Sequence, residues 1–163
     1  MMGWHRRIAC TDCASFSVRQ LLTLPPLLAL LTLTLAAGAA LVLQYLGIPP
    51  VDTSLANNKL AGWDWPGIVL FSPLLETLLL GGAFKLMASR LDRRLAALLA
   101  ALLLAGMHEW YAGGWGWVVL APLCVFTAPF ALTRRFRDAA LLGGLTHAFH
   151  NFYACILISW FPA

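Results

Sequence analysis

Five apolar blocks, each about as long as a bilayer is thick, constrain this chain more than any other feature: Leu21–Leu46, Pro66–Met87, Leu95–Tyr111, Trp115–Leu132 and Ala139–Phe161. Crossing about 30 Å of hydrocarbon takes roughly 20 helical residues, and a spanning segment must satisfy its own backbone. The blocks leave little else among 163 residues, and 61% hydrophobic against 11% charged lies far from the roughly 45–50% and 25% of soluble chains. A soluble domain is therefore excluded. The expected fold is an all-α integral membrane bundle of about five transmembrane helices. Residues 1–20 form a cytoplasmic tail and residues 21–163 a single membrane domain. Pro25 and Pro26 suit a first helical turn, so span 1 is expected to start at Leu24, with Ser17–Leu22 along the interface. Leu21–Leu46 is too long for the apolar region of a cleavable signal peptide, so span 1 is expected to be retained.

The net charge of +4 does not point to nucleic acid. The basic residues sit in short clusters beside apolar blocks, where lipid headgroups account for them. Arg6, Arg7 and Arg19 precede span 1; Lys85, Arg90, Arg93 and Arg94 separate spans 2 and 3; Arg134, Arg135 and Arg137 separate spans 4 and 5. Ten of the eleven Lys and Arg thus fall on one side, with Trp63, Trp65, Trp110, Trp115 and Trp117 belting the other. The positive-inside rule places the N-terminus in the cytoplasm and the C-terminus outside. Cys124 and Cys155 lie inside apolar blocks, and Cys10 and Cys13 form a lone CxxC on the tail. Four such cysteines make no disulfide framework.

Against this apolar background stand Glu76 in span 2, His108 in span 3, and His147, His150 and Asn151 in span 5. Charged side chains at mid-membrane cost about 2.5–3.5 kcal/mol or more, so their presence calls for a reason. At about 1.5 Å per residue from the cytoplasmic edge, Glu76 lies about 16 Å deep, His108 about 20 Å, His147 about 12 Å and Asn151 about 18 Å. Three helices thus deliver four polar groups to one layer. Small residues share their faces: Ser72 and Ala83 with Glu76, Ala101, Ala105 and Ala112 with His108, and Gly143, Gly144 and Ala154 with His147 and Asn151. His150, three residues after His147, either flanks the site or meets a neighbouring helix, the structural role being the plainer one. A desolvated glutamate suits a general base that activates water, and imidazole and carboxamide N–H groups suit an oxyanion. The same atoms could surround Zn²⁺, with His108, His147 and Glu76 as ligands. Interhelical hydrogen bonding alone is the plainer alternative. Ser72 and Ser159 lack the Gly-x-Ser-x-Gly setting of a nucleophile elbow.

In order and spacing these residues resemble the CPBP family of intramembrane proteases, which includes the CAAX prenyl endopeptidases. The family pattern runs Glu-Glu-x-x-x-Arg, Phe-x-x-x-His and His-x-x-x-Asn. This chain has Glu76 at the start of the first motif, Leu-Ala-Gly-Met-His ending at His108, and His-Ala-Phe-His-Asn from His147 to Asn151, so the likeness covers about residues 66–155. Thr77, Gly81 and Leu104 stand where the second glutamate, the arginine and the phenylalanine would be. The resemblance implies an intramembrane endopeptidase with Glu76, His108, His147 and Asn151 as catalytic residues, acting by glutamate-activated water without a cofactor, with a zinc mechanism as the alternative. It implies a membrane-anchored protein or peptide substrate, cut near its C-terminal membrane segment. The short length resembles the small bacterial branch of myxosortase type, which processes C-terminal sorting signals, in the inner membrane. A non-catalytic scaffold or a bacteriocin-immunity protein is the competing function.

Overall fold

The structure is a computed structural model that describes residues 16–48 and 64–160. Cys10, Cys13 and most of the predicted tail lie outside the described residues, as do Lys59 and Trp63. Among the described residues there are five helices and no strands: α1 Val18–Tyr45, α2 Asp64–Ala88, α3 Arg93–Tyr111, α4 Trp115–Leu132 and α5 Phe136–Trp160. This is the expected all-α membrane bundle. Four helices, α1, α2, α4 and α5, are long and apolar enough to cross a membrane. In α3 the polar residues Arg93, Arg94, His108 and Glu109 occupy the two ends. Its Ala96, Ala97, Ala100, Ala101, Leu104 and Ala105 are buried, while Leu95, Leu98, Leu102, Leu103 and Met107 are exposed, so α3 packs an alanine face that lets its neighbours approach and turns a leucine face outward.

Span 1 departs from expectation. It starts at Val18, because Ser17 and Gln20 form a reciprocal cap: Ser17 Oγ accepts from the Gln20 amide at 3.2 Å, and Gln20 Oε1 accepts from the Ser17 amide at 2.9 Å. That nucleus precedes Pro25 and Pro26, and the helix runs through both. Neighbouring helices make prolines tolerable inside membrane helices, and here Pro25 is buried.

The packing is layered. Helix α3 lies on α4 and α2, α5 lies on α4 and α2, and α1 covers the outer side of α4 and α5. Close approach at the α4–α5 contact requires Gly143, whose backbone meets the Phe126 carbonyl. Gly116, near the start of α4, meets the Ala105 carbonyl of α3 in the same way. The α4 start is fixed by Glu109, whose two carboxylate oxygens accept from the amides of Gly114 and Gly116 at 2.9 and 3.0 Å. Gly114 itself has φ of 84°, which favours glycine. At the other end Arg93 donates to the carbonyls of Phe130, Ala131 and Thr133, the unpaired end of α4, while its guanidinium lies 5.2 Å from the Phe84 ring centre. This clamp brings the α2–α3 and α4–α5 turns, and so both basic clusters between them, to one end of the bundle.

Candidate functional site

Glu76 is the centre of the polar layer. Its Oε2 lies 3.7 Å from His108 Nε2 and 3.7 Å from His147 Nε2. Three helices that the sequence placed at a common depth therefore do converge. The side chains are 18%, 22% and 6% exposed for Glu76, His108 and His147, so the cluster is largely buried, with Glu76 and His108 partly accessible.

The ring nitrogens sort themselves by their other partners. His108 Nδ1 lies 2.8 Å from the Leu104 carbonyl oxygen one turn back. A carbonyl only accepts, so Nδ1 carries the proton, and in a neutral ring Nε2 turns a lone pair toward Glu76. His147 differs. Its ring stacks on Phe126 with centroids 4.4 Å apart, and its Nδ1 is buried with no hydrogen-bond partner among the described residues. A proton on Nδ1 would be buried without an acceptor, whereas on Nε2 it faces the Glu76 carboxylate. One imidazole thus offers an acceptor beside Oε2 and the other a donor. At 3.7 Å neither contact is a direct hydrogen bond, and a separation of that size suits an intervening group.

The second oxygen of Glu76 is held separately. Ser72 Oγ, one turn earlier on α2, donates to Oε1 at 2.5 Å. That bond fixes the carboxylate rotation that turns Oε2 toward both rings. The sequence shows Ser72 only as a small neighbour, although a serine four residues before a glutamate on a helix is within reach of it.

Asn151 stands on the same face of α5 as His147, one turn on, but its amide is engaged elsewhere. Nδ2 donates to the backbone carbonyl of Ile68 at 2.8 Å. Ile68 belongs to a five-residue stretch, Gly67–Phe71, in which α2 widens to i→i+5 spacing. One of the two N–H groups of the amide expected of an oxyanion donor is therefore bonded to protein. His150 takes the structural role expected of it: Nδ1 lies 2.9 Å from Thr32 Oγ1 on α1, and that hydroxyl donates to the Ala29 carbonyl at 2.9 Å, so it accepts from the ring.

The departures from the resemblance have physical counterparts. At Gly81, where the motif arginine would stand, an added Cβ would fall 2.8 Å from Phe136 and 3.2 Å from Phe130. The space is filled by aromatic rings. Thr77, at the second glutamate position, is buried against Gly144 with its hydroxyl lacking a partner among the described residues. Neither can support Glu76 electrostatically, and Ser72 supplies the support present here.

Among the described residues no three His, Cys, Asp or Glu side chains are arranged to hold a metal ion. No chemical step is derived through a metal. The chain matches no family model, no characterised protein and no solved structure.

Proposed function

We propose that the protein is an intramembrane endopeptidase of the CPBP type, hydrolysing a peptide bond near the C-terminal membrane segment of a membrane-anchored substrate. The observation that carries this reading is the pairing at Glu76 Oε2: an accepting imidazole, His108, and a donating one, His147, each 3.7 Å away. A water between Glu76 and His108 gives one hydrogen to Oε2 and the other to His108 Nε2, which leaves its lone pair to attack the substrate carbonyl carbon. Glu76 takes the proton as the carbon–oxygen bond forms. His147 Nε2–H donates to the oxygen that gains charge, where a preoriented donor contributes about 10²–10³ in rate. Collapse of the tetrahedral species breaks the C–N bond, and the proton on Glu76 passes to the departing amine. The positive-inside distribution supports an N-terminus inside and a C-terminus outside, and the CPBP reading implies the inner membrane of a bacterium.

The test is Glu76→Gln in the purified, reconstituted protein, presented with single-span reporter peptides and read by mass spectrometry. Glutamine keeps the shape, and its amide can donate to His108, so thermal stability stays near that of the parent. Cleavage falls by the about 10²–10⁴ that a general base contributes. Cleavage by Glu76→Gln above a tenth of the parent rate would remove Glu76 from the chemistry. Loss of parental activity to a chelator, with recovery on adding Zn²⁺, would replace the glutamic mechanism with a metal one. A parent that cuts none of the reporters, with its fold intact, would favour the scaffold reading.

A further inference from the structure

Helix α2 carries its widened turn directly before the site, and the sequence explains why. Ser72 donates its backbone amide five residues back to Gly67 instead of four back to Ile68. In the widened spacing the Ile68 carbonyl would next look to the amide of residue 73. Residue 73 is proline, which has no N–H. Pro73 is fully buried, so water does not replace the missing donor from that side. An unpaired carbonyl at membrane depth is costly, and the group that reaches it is Asn151 Nδ2, 83 residues later on α5. The residue immediately after the widened turn is Ser72, which holds Glu76 Oε1.

We infer that Asn151 is a positioning residue, not an oxyanion donor: it supplies the hydrogen bond that Pro73 withholds from Ile68, and so fixes the turn that aims Ser72 and Glu76. Widened turns inside helices are rare and concentrate at functional sites, where they rotate the residues that follow. Here the rotation is pinned from α5, the helix that also brings His147. The two α5 residues thus act on Glu76 from opposite ends, His147 facing its carboxylate and Asn151 setting the backbone that carries it. This role deepens the proteolytic reading and rests on it for its kinetic consequence. The structural half stands without it.

The experiment is a double-mutant cycle between Pro73 and Asn151 in the full-length protein, read by cleavage kinetics, thermal stability and infrared spectroscopy. Asn151→Ala alone lowers kcat by about 10- to 100-fold, the scale of a misplacement near 1 Å, and leaves KM within about twofold. Pro73→Ala returns an amide N–H to the helix, and on that background the Asn151→Ala step costs less than about threefold in kcat, because residues sharing one bond are not additive. Melting temperature shows the same coupling. An equal kcat loss in both backgrounds would overturn the inference and return Asn151 to the reacting atoms. Should Pro73→Ala fail to fold, the carbonyl band decides: with ¹³C-carbonyl isoleucine and an Ile68→Val control, Asn151→Ala shifts the Ile68 band to higher wavenumber. An unmoved band refutes the bond. If no variant cleaves any reporter, the band shift and the stability coupling still hold, so failure of the proteolytic reading is told apart from failure of this one.

Discussion

Replacing either of two neighbouring glycines on α5 with alanine is expected to have opposite effects. A Cβ at Gly143 would come under 3.0 Å from the Phe126 carbonyl oxygen. That atom is backbone and cannot rotate away, so α4 and α5 must part, by up to about 1 Å. Overpacking of this kind costs about 1–3 kcal/mol, which lowers the melting temperature by roughly 2–4 °C per kcal/mol in a chain of this size. The damage also reaches the site, since the Phe126 ring stacks on His147, and a shift near 1 Å is worth about 10²-fold in rate. At Gly144 the nearest atoms are Thr77 Oγ1 at 3.4 Å and Cγ2 at 3.5 Å. That is ordinary contact, and the methyl group gains the about 0.5–1 kcal/mol by which alanine exceeds glycine inside a helix. The assay is thermal unfolding in detergent micelles together with reporter cleavage. Gly143→Ala falls in both, while Gly144→Ala holds its activity and melts at or slightly above the parent. Equal effects at the two positions would refute the packing argument.

Two further outcomes follow from side chains already placed. Ser72→Ala frees the Glu76 carboxylate to rotate, and kcat falls about tenfold, the scale of one lost charge-assisted hydrogen bond, with KM unchanged and Ser72→Thr restoring most of the loss. Asp92 caps α3 by accepting from the amides of Arg94 and Leu95 at 2.9 and 3.4 Å, and the first of these bonds does most to hold its carboxyl below the usual carboxylate range. The native state therefore favours the ionised form, so the cap's stabilisation is present above the unfolded value and is lost as pH falls through the lower, folded value. Asp92→Asn, still a capping residue, removes that part of the acid-side drop in melting temperature.

The membrane bundle and the convergence of Glu76, His108 and His147 were legible because both rest on counting. Long apolar runs give helices, and helical rise converts residue number into depth. Trp115–Leu132 has the bounds expected of it, since glycines and a Thr-Arg-Arg run mark its ends. Span 1 misled because two prolines mark a first turn more visibly than a Ser17–Gln20 cap does, and only packing decides between them. The supporting bonds were harder to see. Asn151 meets Ile68 through a carbonyl, and backbone acceptors leave no trace in residue type. Glu109 sits at the end of an apolar block, where it reads as an interfacial charge, and its partners are again backbone amides. Ser72 carried a visible signal in its spacing from Glu76, yet a serine among leucines reads first as a small residue that lets helices pack.

The position of α1 has a consequence for the order in which the molecule is made. Its main partners are α4 and α5, and Thr32 meets His150 across 118 residues of chain. The first of the described helices is thus the last to find its place. It must wait in the bilayer as an independent span while α2 and α3 are threaded past it, which a helix apolar along most of its length can do. The docking of α1 and the approach of His147 to Glu76 both depend on α5. Packing of α1 and completion of the polar cluster both wait for α5, so no nascent chain that stops short of α5 brings Glu76, His108 and His147 together.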